Sequence, residues 1–239
     1  MLLAGSAEAR RIAEALLARG ITDVTALVSE PPRGAIPMPV PFELIPFDDC
    51  ADLAARMNGF DAVIDASHGF DRQMTHVGFA AARRAGLPFV NLTRPRWDVA
   101  ENPEWVSAGD LCTAMALVTP RARVFSAAGW ASLGKCADFP GERLFLRQTS
   151  PHDRPAPYPF VELVFGRPPF NTASEKALFK ELQIDTLLCR NLGGQPSRPK
   201  LDAAEALGLK VILIAPPEPP KEITICAQVS EILDWIDAL

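Results

Sequence analysis

Two stretches of the chain, one near each end, share a design that restricts the possible fold. Each has a short apolar strand, a tight loop of small residues and then a helix, at residues 1–10 and 186–207. Such loops bring backbone N–H groups close to a phosphate at the positive end of a helix. We therefore predict an α/β protein with two Rossmann-like lobes, mainly parallel sheets and a cleft between the lobes that holds a nucleotide or another anion.

The length, charge and composition of the chain exclude several classes of protein and of binding partner. At 239 residues the chain suits one large α/β domain or two small ones, and a net charge of −5 argues against a nucleic-acid partner. No apolar run approaches the length of about 18 residues that a membrane span needs. With no signal peptide and five widely spaced cysteines that lack a C-x-x-C pair, we expect a cytoplasmic protein with reduced thiols. The histidine spacing predicts no metal site.

Strand and helix patterns alternate almost throughout, and the alternation is interrupted near residues 105–122. Repeated βα units with apolar, unalternating strands are typical of parallel sheets covered on both faces. We predict an N-terminal Rossmann-like lobe over 1–115 and a C-terminal α/β lobe over 116–239.

The loops after the first two strands are candidates for nucleotide binding. The first contains a single glycine, Gly5, and a plain strand-to-helix turn also needs a small residue, so both interpretations stay open. The end of the second strand carries Ser29, Glu30 and Arg33. Glu30 favours a ribose diol, whereas Ser29 with Arg33 favours a 2′-phosphate, and the sequence permits either.

Polar residues follow two further strands. Asp65 and His68 lie just past a strand's carboxyl end, where open α/β sheets bind ligands, although a helix cap and a loop histidine are alternatives. Arg94 and Arg96 flank Trp97 in a pattern that suits a carboxylate beside a flat ring, or a surface loop with a tryptophan plug. In the second half, small residues around Gly129 permit close approach of a ligand.

Four short motifs, in order along essentially the whole chain, resemble those of the precorrin-6A reductase family of cobalamin biosynthesis. The motifs are Gly-Ser-Ala-Glu-Ala-Arg at 5–10, Asp-Ala-Ser-His-Gly-Phe-Asp at 65–71, Arg-Pro-Arg-Trp at 94–97, and Arg-Asn-Leu-Gly-Gly at 190–194 with its following Lys-Leu-Asp-Ala-Ala helix. The chain departs from the family pattern at several positions. Gly69 and Asp71 replace proline and alanine, and Trp130 stands where arginine is common.

The resemblance implies an oxidoreductase that uses NADPH to reduce precorrin-6A to precorrin-6B. Hydride passes to one end of a ring C=C bond and a proton is added at the neighbouring carbon, with NADP bound by the N-terminal lobe. The implied partner is the small-molecule tetrapyrrole, with handover between neighbouring pathway enzymes. Another NADP-linked oxidoreductase and a cytosolic two-lobed nucleotide- or anion-binding regulatory protein are the alternatives.

The resemblance and the loop positions together assign candidate roles to individual residues. Expected near the reacting atoms are Asp65 and His68. Expected at the cofactor are Gly5, Ser6 and Ala7 on the pyrophosphate, Ser29 and Arg33 near the 2′-phosphate, and Gly129, Asn191, Gly193 and Gly194. Expected at the substrate are Arg94, Arg96, Trp97, Arg190, Arg198 and Lys200.

Overall fold

Strands and helices alternate along residues 1–31 and 37–239, the part of the chain that the computed structural model describes. The first series contains β1 (Leu2–Ala4), α1 (Ala7–Ala18), β2 (Ala26–Val28), β3 (Phe42–Leu44), α2 (Cys50–Arg56), β4 (Val63–Ala66), α3 (Arg72–Ala85) and β5 (Phe89–Leu92). The second contains β6 (Trp105–Ala108), α4 (Leu111–Ala116), β7 (Arg123–Ser126), β8 (Arg143–Gln148), β9 (Val161–Phe165), α5 (Thr172–Glu181), β10 (Thr186–Arg190), α6 (Pro199–Glu205) and β11 (Lys210–Ile214). The chain ends with β12 (Thr224–Cys226) and α7 (Val229–Asp237).

The strands form two sheets in which every pair of neighbours is parallel. The first sheet has the order β3-β2-β1-β4-β5-β12 and the second the order β9-β8-β7-β10-β11-β6. Both orders reverse direction between two adjacent central strands, β1 and β4 in one sheet and β7 and β10 in the other. This is the doubly wound arrangement of dinucleotide-binding sheets. The predicted α/β class with two Rossmann-like parallel sheets is confirmed, whereas the cleft stays a prediction.

One edge strand of each sheet comes from a part of the chain that the predicted boundary assigns to the other lobe. One compact unit comprises residues 1–94 and 217–239, and the other comprises residues 95–216. The predicted boundary at 115/116 is wrong because β6 pairs with β11 in the second sheet, while β12 pairs with β5 in the first. The local sequence pattern does not show in which sheet β6 or β12 lies, because their partner strands β11 and β5 are far away in the sequence.

Alternate residues of the central strands enter cores on opposite faces of the first sheet, as strand geometry requires. Leu2 packs on one face with α1 and α7 residues such as Ile12 and Ile232. Leu3 packs on the other face with Met74 of α3, and a Cβ at Gly78 would overlap the Leu3 side chain. Burial on both faces explains why the strands are continuously apolar.

Most predicted elements are confirmed, with ends that differ by a few residues. Ser6 begins α1 by accepting a hydrogen bond from Ala9 N, and the left-handed Gly86 (φ 71°) ends α3. Residues Trp130–Lys135, after β7, form a 3₁₀ helix. Sequence reasoning missed β3, β6, α4 and β12, which are short elements. No helix in the described ranges is long and apolar enough to cross a membrane.

Candidate active site

The loop after β1 touches the loop after β4 at the point where the first sheet reverses its strand order. Gly5 N donates a hydrogen bond to Ala66 O at 3.3 Å. A Cβ on Gly5 would lie only 2.7 Å from His68 N, so the contact between the two loops requires glycine. Ligands of doubly wound sheets bind at this crevice, beyond the carboxyl ends of the strands.

Ser6 joins the same contact to the beginning of α1. Its hydroxyl donates to Ala66 O at 2.8 Å, and its oxygen accepts from Ala9 N at 3.3 Å. Gly5 and Ala7 are exposed on either side, ahead of a helix of 12 residues. The small exposed loop and the helix N-terminus together fit a pyrophosphate, which needs close backbone approach and positive charge.

Asp65 lies beneath this surface and does not reach it. Its side chain is fully buried, with Oδ1 accepting from Ser67 N at 3.0 Å and Oδ2 accepting from Asn91 Nδ2 at 2.8 Å. Burial raises the pKa of Asp65, although the hydrogen bonds from Ser67, Thr75 and Asn91 act in the opposite direction. The expected role beside the reacting atoms is therefore corrected: Asp65 shapes the loop that follows β4.

His68 is half-buried in that loop. Its Nδ1 accepts a hydrogen bond from Phe70 N at 3.2 Å, and its carbonyl accepts from Asp71 N at 2.6 Å. The imidazole is tilted against the Phe70 ring, with centroids 6.2 Å apart. His68 is thus a polar group at the carboxyl edge of the sheet, and its predicted catalytic role stays a prediction.

The end of β2 carries a hydrogen-bonded pair instead of a lone serine. The exposed Ser29 donates its hydroxyl to Asp71 Oδ2 at 2.6 Å, while Asp71 Oδ1 accepts from Met74 N at the start of α3. Glu30 follows and is exposed. Arg33, the other residue predicted at the 2′-phosphate, lies outside the described residues.

Arg94 is ion-paired to the helix that follows the glycine loop. Its Nη2 lies 3.6 Å from Glu8 Oε2, while Arg11 Nη2 lies 2.8 Å from Glu8 Oε1. Glu8 is only 6% exposed, and its Oε2 is buried with no hydrogen-bond partner among residues 1–31 and 37–239. Arg94 therefore brings a positive charge close to that oxygen, and its side chain is 23% exposed.

In the second unit, the Asn191 side chain fastens the loop that carries Trp97. Asn191 Oδ1 accepts from Trp97 N and Asn191 Nδ2 donates to Trp97 O, both at 2.9 Å. Each end of the amide makes one of these bonds, which gives the side chain a structural role, while its expected contact with the cofactor stays a prediction. Arg96 is exposed in the same loop.

Glycines and an arginine lie at the strand reversal of the second sheet. Gly129 follows β7 with φ 84°, and Gly193 and Gly194 follow β10 with φ 63° and 73°. These left-handed conformations favour glycine. A Cβ on Gly129 would lie 3.8 Å from an Arg190 guanidinium nitrogen, so the Gly129 loop and the Arg190 side chain are neighbours.

Two of the predicted substrate cations are engaged elsewhere. Arg198 Nε donates to Asp202 at 2.6 Å, and its guanidinium also lies 3.8 Å from Glu101 and 3.6 Å from Glu205. Three surrounding carboxylates disfavour a substrate carboxylate there. Lys200 Nζ donates to Ser197 O at 2.8 Å, and burial lowers the pKa of Lys200. Both side chains are thus held by contacts within the second unit, and their binding of substrate carboxylates stays a prediction.

Comparisons with known proteins agree with the two-sheet architecture. The family model described as "Precorrin-6x reductase CbiJ/CobK" matches residues 1–237. The chain belongs to this reductase family. The precorrin-6A reductase of Rhodococcus erythropolis is 34% identical over 244 residues, covering 100% of this chain and 97% of the relative. That of Rhodobacter capsulatus is 32% identical over 240 residues, covering 99% and 94%. The solved structure of CobK precorrin-6A reductase superposes with a TM-score of 0.88 at 31% identity, covering 99% and 95%.

Membership of the precorrin-6x reductase family confirms the predicted oxidoreductase class and its place in cobalamin biosynthesis. A reductase of this kind requires a nucleotide cofactor, and the glycine loop at the reversal of the first sheet fits one. Among the described residues, no group of three or more His, Cys, Asp or Glu side chains is arranged to hold a metal ion.

This member of the reductase family also contains a buried ion pair that sequence reasoning missed. Arg147 Nη2 lies 2.6 Å from Glu175 Oε1, and the two side chains are 9% and 5% exposed. The Arg147 guanidinium lies over the rings of Phe125 and Phe170, at 5.0 and 4.3 Å from their centroids. Burial raises the pKa of Glu175 and outweighs the opposing effect of Arg147. The available sequence signal for the buried ion pair was Arg147 itself, a charged residue directly after the apolar segment Leu144–Leu146.

Proposed function

We propose that this chain uses NADPH to reduce precorrin-6A to precorrin-6B. The observation that carries the proposal is the Gly5 loop, which lies at the strand reversal of a parallel sheet with the order β3-β2-β1-β4-β5-β12. Family membership supplies the substrate class, since the relatives are named precorrin-6A reductase. The proposal makes three points: NADPH is the reductant, the tetrapyrrole is the substrate, and the residues named below form the site.

The first unit contains the groups that bind the nucleotide in this proposal. Gly5, Ser6 and Ala7 hold the pyrophosphate, because they expose backbone next to the N-terminus of a helix of 12 residues. Ser29 lies at the adenosine ribose, at the carboxyl end of β2. When bound, NADPH supplies the hydride. In the second unit, the loops of Gly129, Gly193 and Gly194 have positive φ angles, and these glycines remain predicted contacts of the cofactor.

The substrate needs cations, because precorrin-6A carries several carboxylates and the protein has a net charge of −5. In the proposal, Arg94, Arg96 and Arg190 bind those carboxylates, and Trp97 contacts the flat ring system. His68 donates the proton added next to the hydride acceptor, or holds the water that does so. Asp65 has no direct part, since it is fully buried.

An anaerobic turnover assay tests the proposal. Purified protein, precorrin-6A and NADPH carrying deuterium on its nicotinamide ring are expected to give precorrin-6B containing that deuterium, with equimolar loss of NADPH. Omitting the tetrapyrrole controls for adventitious oxidation. Nucleotide binding without any turnover would overturn the proposal in favour of the regulatory alternative. Turnover of a different acceptor alone would favour another NADP-linked oxidoreductase.

A cytoplasmic location and handover of the tetrapyrrole to neighbouring pathway enzymes are further parts of the proposal. The five free cysteines are compatible with a reducing compartment. Co-purification of precorrin-6B with the next enzyme of the pathway, at equal concentrations of the two proteins, tests the handover. Complete exchange with added free precorrin-6B during turnover would contradict it.

A further inference from the structure

A carboxylate lies at the end of β2, where a doubly wound sheet meets the adenosine ribose of a bound dinucleotide. Ser29 is the first residue after β2, and Asp71 immediately precedes α3. The Ser29 hydroxyl donates to Asp71 Oδ2 at 2.6 Å. Because a hydroxyl has one hydrogen, Ser29 does not donate to a phosphate oxygen while this bond is present.

The Asp71 side chain is held in this position by its role at the start of α3. Its Oδ1 accepts from Met74 N at 3.0 Å, and its main-chain N–H donates to His68 O at 2.6 Å. The carboxylate is therefore anchored at one oxygen, and the other oxygen faces the end of β2. A capping carboxylate is also stabilised by the positive end of the helix, here one of 14 residues.

We propose that Asp71 is a specificity-determining residue, which holds the Ser29 hydroxyl and lowers the preference of the enzyme for NADPH over NADH. This inference rests on the proposed function, because that function puts the ribose at the end of β2. A carboxylate accepts hydrogen bonds from a ribose diol and repels a 2′-phosphate, whose charge is about −1.5 to −2 at neutral pH. Asp71 and the exposed Glu30 both add negative charge at this position.

The substitution Asp71→Asn removes the negative charge of the side chain but keeps its capping hydrogen bond at the start of α3. The introduced amide oxygen still accepts from Met74 N, while its N–H donates to Ser29 Oγ and releases the hydroxyl hydrogen for a phosphate. We expect the Kd for NADPH to fall about tenfold, which corresponds to about 1.4 kcal/mol, and the Kd for NADH not to fall. Both values are measured by titration of nucleotide fluorescence.

Asp110→Asn is the matched control. Asp110 caps α4 by accepting from Thr113 N at 2.7 Å, so the variant has the same change in charge and the same capping chemistry in the other unit. It is expected to leave the ratio of the two Kd values unchanged. In the Asp71→Asn background, Ser29→Ala is expected to return the Kd for NADPH towards the original value, because the gain depends on the released hydroxyl.

An unchanged ratio of Kd values in a folded Asp71→Asn variant would overturn the inference, even if the enzyme turns over precorrin-6A. A melting temperature equal to that of the original protein establishes that the variant is folded. A shifted ratio without any reduction of precorrin-6A would support the specificity role and overturn the proposed function. Failure of the original protein to bind either nucleotide would overturn both.

Discussion

Gly5→Ala tests whether the contact between the loops after β1 and β4 builds the nucleotide site. The added Cβ would lie 2.7 Å from His68 N, 3.3 Å from Ser67 C and 3.4 Å from Ser67 Cα. These are backbone atoms, so no side-chain rotation relieves the overlap. Since nonbonded heavy atoms prefer a separation of about 3.5 Å or more, one of the two loops has to move by about 1 Å.

The movement has two measurable consequences. It strains the hydrogen bonds that Gly5 N and the Ser6 hydroxyl make to Ala66 O, at 3.3 and 2.8 Å. Overpacking of this kind costs about 1–3 kcal/mol, which lowers the melting temperature of a chain of this size by roughly 2–12 °C. Loss of one charge-assisted bond to the pyrophosphate raises the Kd for NADPH about ten- to a hundredfold.

Two other glycines provide matched controls for calorimetry and NADPH titration. Gly109→Ala adds a Cβ that meets no atom of the described residues within 4 Å, so both quantities are expected to stay unchanged. Gly20→Ala likewise meets no described atom within 4 Å, but Gly20 has φ 80°, so the substitution is expected to lower stability by about 1 kcal/mol without changing the Kd. If Gly5→Ala loses stability at an unchanged Kd, the loop is only a structural turn. Wild-type values for both quantities would refute the steric reasoning itself.

Three further predictions concern side chains whose contacts the structure defines. Asn191→Ala leaves two backbone groups of Trp97 without their partners, so calorimetry should show a loss of about 2–4 kcal/mol in the free energy of unfolding. Titration should show an unchanged Kd for NADPH, and a large rise in that Kd would place Asn191 at the cofactor site. Arg94→Ala should raise the KM for precorrin-6A, with a loss of about 1–3 kcal/mol in substrate binding, and should lower the melting temperature because Glu8 Oε2 loses its cation. Arg94→Lys should restore the melting temperature more than the KM, and an unchanged KM in Arg94→Ala would contradict the substrate role. Burial raises the pKa of Asp65 from its ordinary value of 3.8, so urea unfolding should show the stability of the wild type falling relative to Asp65→Asn as the pH rises above 3.8. A difference in stability that does not depend on pH would contradict this prediction.

The local elements of the fold were predictable because their signals act over a few residues. Ser6 is a suitable N-cap, Gly86 ends α3 in a left-handed conformation, and the continuous apolar runs predict strands buried on both faces. The motifs at 5–10, 65–71 and 94–97 likewise led to the family that the comparisons show. The strands β6 and β12 were missed because they are edge strands with exposed positions and lack the continuous apolar run of equally short strands such as β1.

The sequence placed the candidate loops at the carboxyl ends of strands, yet it did not show which of their side chains reach the surface. Asp65 and Arg198 illustrate the difference, because both have the residue type of a functional group. Asp65 is covered completely, and Arg198 is surrounded by three carboxylates. Burial and local charge depend on residues that are far away in sequence, so spacing alone does not reveal them.

By itself, the sequence determined the α/β class, the repeated strand–loop–helix units and the reductase family, since these follow from local periodicity and short motifs. Only the tertiary structure decided the strand orders and the partners of the polar side chains. Asn91 reaches Asp65 across 26 residues, Ser29 reaches Asp71 across 42, and Asn191 reaches Trp97 across 94. A side-chain amide, hydroxyl or carboxylate can bind a ligand or another part of the chain, and the choice depends on what folding brings within about 3 Å of it.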